Sequence, residues 1–295
     1  MTKLTELLGC KHPVILGAMG VICNPELVAA VSEAGGFGLL ATAFTSDAEF
    51  LRKQIKDTKE LTQNPFGANL QVMNPLTSEL INILANEGVK AVTVSGGSPK
   101  TIIPLLKDKG MIIIPVVPTV DVARKSEALG VDAIIAEGSE SGGIQGFRGA
   151  STMVLVPAVV DAVNVPVIAA GGIADSRGYR AALALGAAGV QVGTRFIATK
   201  ECIAHQNYKN AVIDLNESST QLINLGAFRV RALSTPFAEK LLSDPSQTGG
   251  GFSGQGIEES WLKGDMDAGF LPAGEVTGLI KDIPSVKDII DEMIQ

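Results

Sequence analysis

Two glycine motifs carry the residues best placed to do chemistry. The first is Ala169-Ala170-Gly171-Gly172-Ile173-Ala174-Asp175 and the second is Gln191-Val192-Gly193-Thr194-Arg195-Phe196. Each follows a β-type apolar run: Val165-Pro166-Val167-Ile168 before the first, Ala187-Ala188-Gly189-Val190 before the second. Between them, Ser176 to Leu185 has a helical pattern. Backbone without side chains lets an anion approach closely, and helix N-termini favour negative charge. Glycines at the ends of two neighbouring strands therefore suit a phosphate group. Tight βα turns alone would also use glycine, so the motifs need their context.

The surrounding elements supply that context. Val14-Ile15-Leu16 reads as a first strand, and Asn24-Pro25 opens a helix as N-cap and first turn. Further strands are expected at Phe37–Leu40, Phe66–Leu70, Ala91–Val94, Ile112–Val117 and Ala133–Ala136, with the two glycine-ended runs seventh and eighth. Helices are expected at Asp47–Thr58, Thr77–Glu87, Pro99–Lys109, Asp121–Leu129 and Thr152–Val163, and Glu137 to Ala150 reads as a long polar loop. The strands are unbroken apolar runs, as a parallel sheet buried on both faces requires. Eight βα repeats predict a TIM (β/α)8 barrel, whose last two units often hold a phosphate. The alternative, a doubly wound open sheet, would carry G-x-G-x-x-G after its first strand, and Gly17-Ala18-Met19-Gly20 does not match.

Beyond Phe196 the alternation stops. Residues 198 to about 265 read as polar and helical, broken by the flexible Gly/Ser stretch from Gln247 to Gly254. Val286, Ile289, Ile290, Met293 and Ile294 then recur at helical spacing, as a last barrel helix would. The expected organisation is a barrel of residues 1–197 plus 270–295. Residues 198–269 would form a small helical lid over the C-terminal mouth, or a peripheral helical addition.

Composition excludes several classes. The 295 residues are 46% hydrophobic and 19% charged, enough for a large core, and aromatics are only 4%. A net charge of −7 disfavours nucleic acid and anionic membrane as main partners. No apolar run reaches the roughly 20 residues of a bilayer span, and Met1-Thr2-Lys3-Leu4-Thr5-Glu6 does not read as a signal peptide. Three scattered cysteines (Cys10, Cys23, Cys202), with no CxxC, suit a reducing cytoplasm and predict no metal site.

Catalytic groups of a TIM barrel gather at the C-terminal strand ends. Here those ends read Ala18-Met19-Gly20, Ala43, Asn69-Leu70-Gln71, Ser95-Gly96-Gly97, Pro118-Thr119, Glu137-Gly138 and the two glycine motifs. The lining is mostly neutral. It lacks the carboxylate pair of a glycosidase and the His/Asp cluster of a metal hydrolase. A large, flat, mostly neutral cofactor with a phosphate tail suits it, and flavin mononucleotide (FMN) is one.

The order of motifs then resembles a known family. The matching pieces are His12-Pro13-Val14-Ile15-Leu16-Gly17-Ala18-Met19, Ala34-Gly35-Gly36-Phe37-Gly38, Pro65-Phe66-Gly67-Ala68-Asn69, Pro115-Val116-Val117-Pro118, Ala136-Glu137-Gly138 and Glu140-Ser141-Gly142-Gly143. The two glycine motifs, Ala204-His205-Gln206-Asn207-Tyr208-Lys209 and Ala273-Gly274-Glu275-Val276-Thr277-Gly278 complete the set. Across nearly the whole chain this resembles the nitronate monooxygenase (2-nitropropane dioxygenase) family, most of all its enoyl-acyl-carrier-protein reductase II branch. The resemblance implies FMN as cofactor and, in the reductase branch, NADH or NADPH as reductant. It places Gly171, Gly172, Gly193 and Thr194 at the phosphate and Ala18, Met19 and Asn69 near the flavin ring or ribityl chain. Glu137, Ser141, Gly142 and Gly143 would line the substrate side.

One departure matters. The family usually follows Gly-Gly with histidine, its presumed acid/base, but Gly142-Gly143 is followed here by Ile144 and Gln145. Neither side chain titrates near neutrality. His12 precedes the first strand, at the far end of the barrel, and His205 belongs to the helical segment. The nearby candidates are Gln145, Glu140 and Ser141, with Glu137 also within reach; a desolvated carboxyl can act as an acid, or Glu137 and Glu140 can simply accept backbone hydrogen bonds. The expected function is an FMN-dependent NAD(P)H oxidoreductase passing hydride to an enoyl-thioester-like or other electrophilic acceptor. A nitronate monooxygenase using oxygen is one alternative, and a non-redox barrel binding a phosphorylated ligand is another. The partner is a small molecule or acyl thioester, and the residues leave the oligomeric state, a homodimer included, open.

Overall fold

Most residues of the barrel strands are apolar on both faces, and the structure shows why. In the computed structural model, which describes residues 3–146, 148–226, 228–243 and 254–295, the eight strands are β1 (Val14–Leu16), β2 (Gly38–Ala41), β3 (Phe66–Gln71), β4 (Ala91–Ser95), β5 (Ile112–Val117), β6 (Ile134–Glu137), β8 (Val167–Ala170) and β9 (Gly189–Val192). A short strand, β7 (Gly143–Gln145), lies outside this set. The parallel order is β1-β9-β8-β6-β5-β4-β3-β2, and a single parallel bridge from Ile15 to Phe37 joins the two ends of the row. Ile15, Leu39, Ile114, Ile135 and Ile168 point inward as one buried cluster. Leu16, Leu40, Leu70, Val92, Ile113, Ile134, Val167 and Val190 point outward into the larger core beneath the helices. Alternate residues thus feed two different cores, and the inward face turns polar only toward the C-terminal strand ends, at Asn69, Thr93, Ser95, Glu137 and Gln191.

The helices between the strands are α2 (Pro25–Glu33), α3 (Ala48–Leu61), α4 (Thr77–Asn86), α5 (Ile103–Asp108), α6 (Val120–Ala128), α7 (Thr152–Val160) and α8 (Ser176–Ala184). The last of the ring, α13 (Val286–Met293), packs against α2 and α8 as its amphipathic pattern predicts. It opens with a capping box between Ser285 and Asp288. An additional helix, α1 (Lys3–Leu8), was not expected; its Leu4 and Leu8 join the inward-facing cluster and close the N-terminal end of the barrel.

Two regions depart from expectation. The loop from Glu137 to Ala150 contains β7, and residues 198–269 are not wholly helical. They comprise α10 (Gln206–Asp214), α11 (Pro236–Ser243) and α12 (Gly254–Ile257), but also an antiparallel pair, β10 (Thr220–Asn224) and β11 (Arg229–Leu233). β11 then pairs antiparallel with β7, Val230 opposite Ile144. The burial of β11 alternates, with Val230 and Ala232 buried between half-buried Arg229 and Arg231, which is a strand period rather than a helical one. Most of the predicted flexible stretch, Gln247 to Ser253, lies outside the described residues.

Candidate active site

Strand alternation decides which side chains reach the barrel mouth. Asn69, Ser95, Glu137, Ala170 and Gln191 share the parity of the inward-facing apolar residues, but sit at the C-terminal ends of their strands. All five line a single cavity of about 970 Å³. Ala18, Met19, Ser141, Gly142, Gly143, Gln145, Gly171, Gly172, Gly193 and Thr194 line it too, so nearly every residue proposed from sequence meets there.

The two glycine motifs behave differently in detail. Gly171 and Gly172 have φ of 97° and 73°, a left-handed region in which glycine is strongly preferred. A Cβ on Gly171 would stand 3.1 Å from Gly138 O and Thr152 Oγ1, so this turn packs tightly against the next loop. Gly172 and Gly193 face open space instead: a Cβ there would approach nothing nearer than Glu140 at 3.9 Å and Met19 Sδ at 3.7 Å, respectively. Among the described residues, the amides of Gly172, Gly193 and Thr194 donate to no backbone carbonyl. The short helix α9 (Thr194–Ile197) begins at that point. Two glycine turns with spare amides and empty Cβ positions form a cradle that fits a phosphate. Arg195, although adjacent, does not serve it; its buried guanidinium bonds the carbonyls of Ala198 and Asp282 at 3.3 and 3.1 Å and pairs with the Asp282 carboxylate.

Other lining groups are fixed by neighbours. Asn69 Nδ2 donates to Thr93 Oγ1 at 2.9 Å and Ser95 Oγ at 3.2 Å, which sets the amide's orientation. Gln145, on β7, donates through Nε2 to Ser141 O at 3.0 Å and also to Ser141 Oγ. Burial pushes the Glu137 carboxyl, which lines the same cavity, up to about 7, and the nearby Ser141 hydroxyl acts against that rise. Ile144 occupies the position of the expected histidine; it lines the cavity and packs against a small core of Ile223, Val230, Leu241 and Phe270.

Glu140 is the exception. It does not line the cavity: its carboxylate accepts from Thr152 N at 2.9 Å through both oxygens and from Thr152 Oγ1 at 3.1 Å, holding the first turn of α7. His205 is likewise structural, its Nδ1 accepting from Asn207 N at 3.1 Å to cap α10.

Some lining residues were not singled out from sequence. Gln191 and Tyr208 lay inside quoted motifs and could have been chosen as inward-facing or aromatic members of them. Phe44 and Trp261 gave no signal, being far apart in the chain; their rings meet edge to face at 6.0 Å. Trp261 Nε1 donates to Phe270 O at 2.5 Å, and Tyr208 OH donates to Pro272 O at 2.5 Å. Residues 198–269 thus contribute Tyr208, Phe228 and Trp261 to the cavity wall.

The cavity is at the upper end of the size usual for small-molecule sites, about 300–1,000 Å³. Its long neutral wall and phosphate cradle fit a flavin nucleotide. Among the described residues, no cluster of His, Cys, Asp and Glu could hold a metal ion, and no helix is long and apolar enough to cross a membrane.

Comparison with known proteins agrees with this geometry. The family model for nitronate monooxygenase matches residues 1–86 and 76–295. A Rhodococcus jostii (3aS,4S,5R,7aS)-5-hydroxy-7a-methyl-1-oxo-octahydro-1H-indene-4-carboxyl-CoA dehydrogenase is 33% identical, covering 99% of this chain and 94% of its own. A probable nitronate monooxygenase from Staphylococcus saprophyticus is 34% identical over 81% of this chain and 80% of its own. Among solved structures, FabK from Thermotoga maritima superposes with a TM-score of 0.95 at 39% identity, covering 100% of this chain and 95% of that one. A nitroalkane oxidase from Streptomyces ansochromogenes gives 0.84 at 28% identity, covering 98% and 96%. The chain belongs to the nitronate monooxygenase family, whose members are flavin-dependent oxidoreductases.

Proposed function

We propose that this protein binds FMN in the barrel mouth and uses NADH or NADPH to reduce the double bond of an enoyl thioester. The observation that carries the reading is the cradle of Gly172, Gly193 and Thr194, opening on a long neutral cavity. Its amides would hold the phosphate, with Gly171 shaping the turn. Ala18, Met19 and the fixed Asn69 amide would flank the flavin, leaving Glu137, Ser141, Gly142, Gly143 and Gln145 on the substrate side. Bound there, FMN supplies hydride acceptance from the nicotinamide and hydride donation to the acceptor. The chain itself excludes water with Phe44, Tyr208 and Trp261, and presents the Ser141 hydroxyl to a carbonyl oxygen. In this reading residues 198–269 act as the cover of the site and residues 1–197 with 270–295 as its barrel. The 39% identity to FabK across the whole chain supports the thioester, as does a relative named for a carboxyl-CoA substrate.

A second reading, oxidation of nitronates by oxygen, is favoured by one residue. Ile144 cannot take a proton from a neutral nitroalkane, but a preformed nitronate needs no such base. The two readings separate in one experiment. Oxidation of NADH or NADPH dependent on crotonyl-CoA under anaerobic conditions supports the reductase. Oxygen uptake with propane-2-nitronate, without nicotinamide and much faster than with neutral 2-nitropropane, supports the monooxygenase.

A further inference from the structure

The cavity does not end at the barrel mouth. Beyond the ends of β4 and β5 it continues between two helices, where Pro99, Lys100, Val122, Lys125, Ser126 and Leu129 line it. The gap has a cause in the chain. Helix α5 is only six residues long and packs on α4 and β5, while α6 packs on β5, β6 and α7. In the strand order β4 stands four places from β9, so this arm leaves the barrel on the side away from the phosphate cradle.

Several groups along the arm have no partner within the fold. Ser126 is 1% exposed, yet its hydroxyl has no hydrogen-bond partner among the described residues. A buried hydroxyl left unpaired costs about 1–3 kcal/mol, so its partner belongs in the cavity that it lines. Ser98, also on the lining, precedes the 3-10 turn Pro99–Thr101, but its side chain caps nothing. Lys100 Nζ has no hydrogen bond or ion pair among the described residues. Lys125 pairs with Asp121 at 2.7 Å, but both side chains are largely exposed, and such pairs contribute little. Glu127, the other acid of α6, is engaged by Asn164 N. Lys107 of α5 lays its ammonium against Gly130, just past the end of α6. In a chain of net charge −7, two lysines on one arm of a largely neutral cavity mark where negative charge is accepted.

We infer that this arm is a second phosphate subsite, which takes the phosphorylated adenosine end of a ligand whose reactive end reaches the flavin. NADPH and a CoA thioester share that chemistry: each carries a ribose phosphate besides its diphosphate. The ribose phosphate accepts from Lys100 and Lys125. The adenine covers Pro99, Val122 and Leu129, and the Ser126 hydroxyl pairs with a polar atom of the nucleoside. Lysine binds phosphate as a point charge without a fixed fork, so the pair admits a 2′- or a 3′-phosphate. Lys100 and Lys125 are specificity residues, not catalytic ones. The identity of the two ligands rests on the proposed reductase function, but the preference for a phosphorylated nucleotide does not.

The test is calorimetric titration of flavin-loaded protein with adenosine 2′,5′-bisphosphate, adenosine 3′,5′-bisphosphate and AMP. At least one bisphosphate is expected to bind about tenfold or more tightly than AMP. Preference for the 2′ isomer assigns the arm to NADPH, preference for the 3′ isomer to the CoA thioester, and equal binding to both. In the double variant Lys100→Ala/Lys125→Ala that binding weakens about tenfold and the margin over AMP is lost. Both lysines are exposed, so the variant keeps its fold and flavin spectrum. Ser126→Leu, which fills the arm, weakens all three probes. The subsite is overturned if neither bisphosphate binds more tightly than AMP, or if the double variant binds them as the parent does. Lysine-dependent binding without thioester reduction keeps the subsite and rejects the reductase reading. Crotonyl-CoA reduction whose KM values for thioester and nicotinamide are unmoved in the double variant keeps that reading and rejects the subsite.

Discussion

At Gly193 the backbone φ is −109°, a value any residue adopts, and a Cβ would meet only Met19 Sδ at 3.7 Å. Gly193→Ala therefore leaves unfolding free energy within about 0.5 kcal/mol of the parent. It also puts a methyl group where the phosphate would sit. Flavin-fluorescence titration is expected to show FMN binding weakened about tenfold or more, or at least 1.4 kcal/mol. Gly171→Ala behaves differently, because its φ of 97° and the 3.1 Å approach to Gly138 O strain the folded chain itself. Urea denaturation should show a loss of about 1–3 kcal/mol there. Glu137 makes a prediction of opposite character. Its carboxyl is raised from the ordinary 4.5 to about 7, so between these values the folded protein holds a proton that the unfolded chain has released. By linkage, folding stability from this group falls as pH rises from about 4.5 to about 7, and the loss is complete above that. Glu137→Gln removes this slope: unfolding free energies of the flavin-free protein from urea denaturation should match the parent at pH 4 and exceed it at pH 8, by about 1–3 kcal/mol.

The strand β7 is where sequence reading and structure part most clearly at the level of elements. Three residues with a glycine first carry no periodicity, and their partner strand lies some eighty positions downstream. The β10–β11 pair was hidden for a related reason. Arg229 and Arg231 alternate with Val230 and Ala232, but the window is five residues long and sits among helical neighbours. The barrel strands were legible because each must be apolar on both faces. The unbroken runs at Ile112–Val117 and Ile134–Ala136 cannot read as anything exposed. The glycine cradle was legible because its chemistry is local to two turns. The Gln145–Ser141 bond was legible only as a pair of candidates, since it depends on β11 pairing with β7. Arg231 fastens that arrangement, bonding Ser139 O at 3.0 Å, Thr220 Oγ1 at 3.2 Å and Glu275 at 3.0 Å. Arg231→Ala should lower kcat/KM for the enoyl thioester about tenfold, through a loosened loop, while FMN affinity changes less than about threefold. Steady-state kinetics beside a flavin titration checks both halves.

Over the whole molecule, the barrel supplies a rigid ring and residues 198–269 supply part of the cavity wall. Leu4 and Leu8 fill the N-terminal end of the barrel, and the cavity opens at the opposite mouth, where Trp261 packs edge-on against Phe44. Trp261→Ala removes a 3% exposed indole and should cost about 3–5 kcal/mol, with bound flavin fluorescence more readily quenched by iodide. The net charge of −7 leaves the cavity itself largely neutral, with Glu137 the carboxylate that opens on its inner wall. That combination suits a neutral ring with an anchored phosphate. The most direct test is the absorption spectrum of the purified protein, before and after anaerobic addition of NADH or NADPH. A flavin spectrum is expected, with one FMN per chain retained or regained on reconstitution, that bleaches with one of the two nicotinamides. A colourless protein that takes up no FMN would contradict it.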